Sequence, residues 1–240
     1  MIISETSYFR RPPLRLVPRQ VLVFDGIRYS IDICDLAYKR IKSNLYELTF
    51  PKTIAPPTFP MIFADVWTII NNITVFYNIV SRHFHIHKND LIFEKIEVIK
   101  QLRHTNQHID ERISEALLDM ELPIYGSLSW YAQKEPDSAV GKIMSIDSGS
   151  VTHKKTINML AVNPTGKDNS HKINDIEFST VVKVNKKTFD KRTINLNELM
   201  MNLDTIIKYF ENQMEEQLRG EDASSWHIND LILAMDVMKI

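Results

Sequence analysis

Apolar residues recur every three or four positions from Ile27 to Leu117, then give way to short β-rich runs between Ile124 and about Thr193. The first pattern places one apolar stripe along each helix, and the second suits strands with one packed face. A helical spacing returns after Asn195. These three stretches restrict the chain to an α+β protein, predominantly helical, with helices on both sides of a strand-rich segment in sequence.

In the first stretch Ile27, Ile31, Cys34, Ala37, Ile41 and Leu45 form one stripe, closed by Pro51 and Pro56-Pro57. A second helix opens near Thr58 to Pro60 and carries Ile62, Val66, Ile69, Ile70, Ile73, Phe76, Tyr77 and Val80. Its wide stripe marks it as the central helix. A third follows Asn89-Asp90, with Ile96, Ile99, Leu102, Asn106, Ile109, Ile113 and Leu117 on one side until Pro123. The opposite face of that helix collects Arg103, His104, Gln107, His108 and Glu111, while Asp110, Glu111 and Arg112 fit a solvated surface.

Strand spacing covers 124–132, 142–146, 156–162 and 176–184, and turn residues around Gly141, Gly149 and Asn163-Pro164-Thr165-Gly166 separate these runs. A small antiparallel sheet laid over the helices follows. Asn195 with Glu198 three residues later is a capping pattern for a last long helix, which carries Leu196, Leu199, Met200, Leu203, Ile206, Ile207, Phe210, Met214 and Leu218 and ends at Gly220. Trp226, Ile228, Leu231, Ile232, Met235 and Met238 give the tail the pattern of one more helix, docked on the core or on a second copy.

Several chemistries are disfavoured by composition. Cys34 is the single cysteine, which excludes an intrachain disulfide and a cysteine zinc site within one chain. Six glycines and no glycine-rich phosphate loop argue against a P-loop or dinucleotide crevice. No Gly-x-Ser-x-Gly elbow occurs, and Thr105 stands where a His-Glu-x-x-His metalloprotease has its glutamate. Acidic and basic residues nearly balance, so any attraction for a polyanion has to come from a local field in a cleft. The lead-in is basic and proline-rich, with Arg10, Arg11, Pro12, Pro13, Arg15, Pro18 and Arg19, and lacks the apolar core of a signal peptide. No uninterrupted apolar run is long enough to cross a bilayer, so the expected location is the cytoplasm, with no membrane partner.

Two patterns carry chemistry. His83, His85 and His87 alternate with Arg82, Phe84, Ile86 and Lys88, which in an extended segment lines three imidazoles on one side for zinc, copper or nickel. At the end of a helix the same residues are an ordinary terminus. The other pattern is Arg103-x4-His108, with His104 directly after the arginine. A histidine titrates near neutral pH and can move a proton, while a guanidinium holds a phosphate with paired donors. Arg82 and His87 share that spacing. On an ideal helix Arg103 and His108 stand about 140° apart, so a single chain brings them to one phosphate with difficulty. Asp65, early in the second helix, would orient Arg103 if it faced it across the bundle.

The order of helices together with Arg103-x4-His108 resembles the HEPN-domain proteins, many of which are ribonucleases. The resemblance covers residues 25–121 and 195–219; residues 1–24 are a lead-in, 122–194 an insert foreign to the basic fold, and 220–240 a tail. It implies an up-and-down helical bundle acting as a homodimer, with two motifs facing each other across a cleft. By matching position His108 is the acid or base and Arg103 the phosphate ligand, with His104 where the family usually has asparagine or aspartate, and with Gln107 and Glu111 in support. It further implies a metal-independent endoribonuclease of toxin–antitoxin or phage-defence systems, acting on RNA, possessing no cofactor, and sometimes held by an antitoxin or another protein partner. The alternative is a non-catalytic interaction or scaffold protein, which would leave Arg103 and His108 pointing into open solvent. A metal-binding protein centred on His83, His85 and His87 is the third reading.

Overall fold

A computed structural model describes residues 1–51, 57–84, 91–94, 96–136, 140–149, 172–185, 188–220 and 226–231. Helices α1 (Pro18–Thr49), α2 (Phe59–His83), α3 (Leu91–Glu94), α4 (Glu97–Gln107) and α5 (Ile109–Arg112) lead into a π-helical turn at Ile113–Leu117. Strands β1 (Ser127–Gln133), β2 (Gly141–Asp147), β3 (Ile173–Lys183) and β4 (Phe189–Asn195) follow, and α6 (Leu196–Gln217) closes the order. The protein is thus α+β and mainly helical, and among the described residues the strands form a four-stranded antiparallel sheet ordered β2-β1-β3-β4.

α1 and α2 form an antiparallel pair. Their facing stripes, Ile27 to Leu45 on one and Ile62 to Val80 on the other, are sealed from solvent. Gly26 allows the close approach, since a Cβ there would stand 2.8 Å from Cδ1 of Ile79. Cys34 is fully buried in this seam, where burial raises its thiol and leaves it inert as a nucleophile. α2 is long and apolar enough to pass for a membrane span by length and composition. Over half of its most apolar window is nonetheless buried inside the protein, because the other elements pack around it. Phe76 meets Phe210 of α6 at 6.4 Å, Tyr77 meets Phe93 of α3 at 4.7 Å, and Trp67 meets Phe178 of β3 edge-on at 5.3 Å.

The proline-rich lead-in is part of this core. α1 already starts at Pro18, a residue suited to the first helical position because its missing N–H has no partner there anyway, and residues 18–24 are helical rather than lead-in. Ile3 and Phe9 are fully buried, and Arg10 clamps the segment through a two-pronged bond to Asp32 at 2.6 and 2.9 Å. Residues 226–231 of the tail meet the lead-in in a non-helical conformation. Trp226 bridges Pro13, His227 N donates to the Pro12 carbonyl, and Asp230 binds Arg28 at 2.7 and 3.0 Å and Tyr29 at 2.5 Å. Arg28 and Tyr29 hold the Asp230 carboxyl well below its usual range. These polar anchors hold residues 226–231 with Asp230 at φ 54° and leave Ile228 and Leu231 largely exposed; residues 221–225 and 232–240, where the rest of the predicted helix falls, lie outside the described ones.

In the sheet, Trp130 is sealed from solvent and donates from Nε1 to Oγ1 of Thr49 at 2.9 Å, which ties β1 to the last turn of α1. It therefore offers no surface on which a base could stack. Gly141 sits under the ring of Tyr131, which occupies the volume a side chain would need. The β1–β3 register shifts between Ser129 and Tyr131, where Asp175 adopts φ 48°. This bulge turns the chain so that Ile173, Ile176 and Phe178 all reach the core, and the N–H of Ile176 donates to Oδ1 of Asn197 at 2.8 Å. β4 is a strand the spacing did not predict, because Asp190, Lys191, Arg192 and Thr193 are exposed on the sheet edge and carry no apolar alternation. Charge on an edge strand discourages pairing with another chain. The run at 156–162 lies outside the described residues.

Asn195 caps α6 as its sequence predicts, accepting the N–H of Glu198 at 3.1 Å. Asn195→Ala is expected to cost about 1 kcal/mol, and Asn195→Ser to retain most of it, read from urea melts. Equal stability of the alanine variant and the wild type would show that the cap contributes nothing.

Candidate active site

α4 lies against α2 and β3 through Ile96, Ile99, Leu102 and Thr105, all buried. Thr105 takes the place expected of Asn106: its hydroxyl donates to the carbonyl of Val181 at 2.7 Å and so needs no apolar partner. The helix does not run on to Leu117. His108 stands at φ −122°, ψ 35°, outside the helical region, and the chain restarts as α5 and the π turn. The break turns the buried side toward Arg112, Ala116 and Leu117, and Ile113 is left 47% exposed. Ala116 and Leu117 close over Val181 on the second face of β3.

His104 and His108, one helical turn apart, stand side by side where α4 ends. Their rings lie 4.5 Å apart, tilted by 56°. Nδ1 of His108 lies 3.1 Å from Oε1 of Glu111, half-exposed on the first turn after the break. Arg112, expected at the surface, is 1% exposed. Its guanidinium pairs with Glu115, lies 3.8 Å from Glu111 and stands 5.5 Å from the centre of the Phe189 ring. Lys183, at the end of β3, reaches the same Glu115 at 2.9 and 3.2 Å and the same ring at 5.4 Å. Lys183 and Arg112 hold the Glu115 carboxyl below its usual range. His104 is pushed below the ordinary imidazole value by burial first, then by His108, Arg112 and Lys183, against a smaller opposing pull from Glu111.

Arg103 is not among the groups acting on His104. It is half-buried and makes no hydrogen bond or ion pair among the described residues. Asp65 does not orient it: the Asp65 carboxylate is buried and gripped by Arg40 of α1, with Nε at 3.1 and 3.2 Å and Nη2 at 2.5 Å. The antiparallel pairing of α1 and α2 sets that choice, since it puts Arg40 opposite Asp65. Gln107 is exposed at the last position of α4. His83 is half-buried at the end of α2, whereas His85 and His87 lie outside the described residues; no group of three His, Cys, Asp or Glu side chains gathers into a metal site among the described ones.

The site therefore consists of two adjacent, mutually tilted imidazoles, a carboxylate on one of them, and two cations that share Glu115 beside Phe189. No protein-family model, no curated protein and no solved structure matches this chain. Sequence spacing did not single out Arg112, Glu115, Lys183 and Phe189. Arg112 follows His108 by four positions, one helical turn, which is a usable signal; Lys183 and Phe189 carry none, because strand pairing alone brings them here.

The lowered His104 value has a testable consequence. Between its folded value and the ordinary 6.5, the unfolded chain binds more protons than the folded one, so stability rises with pH there. The contribution is present above 6.5 and is lost as pH falls through the folded value. Urea midpoints measured from pH 8 to pH 5 should therefore fall less for His104→Gln than for the wild type; parallel curves would rule the effect out.

Proposed function

We propose that this chain is a metal-independent endoribonuclease of the HEPN kind, working as a homodimer in the cytoplasm. The observation that supports it best is the His104–His108 pair with Glu111 on Nδ1 of His108. A proton on Nδ1 directed at a carboxylate leaves the lone pair of Nε2 free to act as a base. His108 takes the proton of a ribose 2′-hydroxyl, the 2′-oxygen attacks the adjacent phosphorus, and the bond to the 5′-oxygen breaks. The imidazolium then returns the proton to that leaving oxygen, giving a 2′,3′-cyclic phosphate and a 5′-hydroxyl. Neutral His104 adds no charge to oppose the step.

Arg103 supplies the phosphate ligand. It has no carboxylate partner among the described residues, whereas Arg112 and Lys183 are both committed to Glu115. Its separation from His108 around α4 is resolved by a two-fold arrangement in which one protomer's Arg103 serves the other's His108. A role in toxin–antitoxin or phage defence, with an antitoxin as partner, accords with such an enzyme. A second reading, a non-catalytic dimerisation module, draws on Leu22, Tyr29 and Leu36, which are exposed on α1 at seven-residue intervals.

The deciding experiment incubates the wild-type chain with a mixed RNA pool in EDTA. Cleavage to fragments with cyclic phosphate ends is expected. Intact RNA at stoichiometric protein would move the assignment to the dimerisation module.

A further inference from the structure

A cleft lies where the start of α1 meets the ends of α2 and α6. It encloses about 650 Å³, within the range of small-molecule sites, and four of its lining residues are Arg15, Arg19, Arg82 and His83. Among the described residues no acidic side chain lines it. The Arg15 guanidinium already has a structural task, donating to the carbonyl of Gln217 at the end of α6 at 3.2 Å. Arg82 and His83 sit in the last turn of α2, where a cation is favourable. Arg19 has no such reason. It occupies the first turn of α1, where the helix dipole disfavours a positive charge, and neither it nor Arg82 has a carboxylate partner among the described residues. An exposed cluster of cations at one mouth is the arrangement that a phosphate neutralises, with guanidinium forks giving paired bonds.

The floor is apolar. Phe24, Met214 and Leu218, all buried, line the cleft as well, and Phe84, half-buried against Phe210 at 5.4 Å, adds an aromatic ring to its lining. A ligand that matches both parts carries a phosphate at one end and a flat, weakly polar ring system at the other. We propose that this cleft binds a nucleoside monophosphate, with the phosphate between Arg19 and Arg82 and the base against Phe84 and the apolar floor. The His104–His108 pair is no part of it, since none of the residues of that pair lines the cleft. The site therefore stands independently of the ribonuclease reading.

The test is calorimetric titration of the full chain with adenosine 5′-monophosphate, adenosine, inorganic phosphate and a short single-stranded RNA. Saturable binding of the monophosphate is expected, tighter than that of adenosine or of phosphate alone. Arg19→Ala with Arg82→Ala should weaken it by about ten- to a hundredfold, the loss of charged hydrogen bonds, while Arg11→Ala, exposed and outside the cleft, changes nothing. Arg19 and Arg82 are both exposed, so a melting curve matching the wild type checks that the double variant folds. No binding of the monophosphate, binding untouched by the double variant, or binding of RNA without the monophosphate would each overturn the inference. His108→Ala should bind the monophosphate as the wild type does. A wild type that binds it through Arg82 yet cleaves no RNA leaves this site standing and removes the ribonuclease reading alone.

Discussion

His108→Ala is expected to lower RNA cleavage by about 10²–10⁴-fold, the usual contribution of a positioned proton-transfer group. The fold should not notice. His108 has a side chain 40% exposed, sits at the break between α4 and α5, and its ring contacts among the described residues are with His104 and Glu111. A surface substitution of this kind changes stability by roughly 0.5 kcal/mol or less. The activity loss therefore has to appear with an unchanged melt.

Arg103→Ala should fall in rate as well, and mixing the two inactive chains gives the sharper result. If Arg103 of one protomer serves His108 of the other, mixed dimers hold one intact composite site beside one doubly damaged site, and activity partly returns. Recovery in the mixture supports the two-fold arrangement; no recovery, with mixed dimers shown to form, removes it. Cleavage by His108→Ala at the wild-type rate would remove His108 from the chemistry altogether.

Trp130→Ala is expected to be the most destabilising single change of those considered, at about 3–5 kcal/mol. The indole is fully buried on β1 at the junction with α1, and its N–H bonds Thr49. Truncation removes that large apolar surface from the contact between layers and opens a cavity that the flanking strand and helix cannot both close. For a chain of this size each kcal/mol shifts the melting temperature by about 2–4 °C, so the fall should be about 10 °C. Trp130→Phe separates the two parts, keeping most of the ring volume and losing the hydrogen bond, and should cost less. Thr49 limits the loss, because its hydroxyl also donates to the carbonyl of Leu45. A loss below about 1 kcal/mol in the alanine variant would mean that sheet and α1 do not depend on this anchor.

The same residues show how far the sequence could be read. The stripes of α1, α2 and α6 are buried where their spacing places them, because a long amphipathic helix has only one face to bury and the code for that face is local. The Asn195 cap is equally local, one side chain meeting an N–H three residues on. β1, β2 and β3 fall on predicted runs for the same reason. β4 escapes because a charged edge strand is defined by its neighbour, not by its own pattern. Residues 226–231 depart from the helical spacing because such spacing states only what could be buried, and these residues are held instead by Arg28, Tyr29 and the lead-in.

By itself the sequence determined the fold class, the three long helices, the seam between α1 and α2, and the presence of two histidines one helical turn apart. Only the tertiary structure decided what those histidines face. The break at His108 and the π turn rotate Arg112 into the interior, and pairing of β3 with β4 carries Lys183 and Phe189 to the same place, from some seventy residues further along the chain. It also gave Asp65 to Arg40 instead of Arg103. The division has one physical reason: periodicity and caps are satisfied within a turn or two of backbone, whereas a charge finds its partner only after the layers have packed.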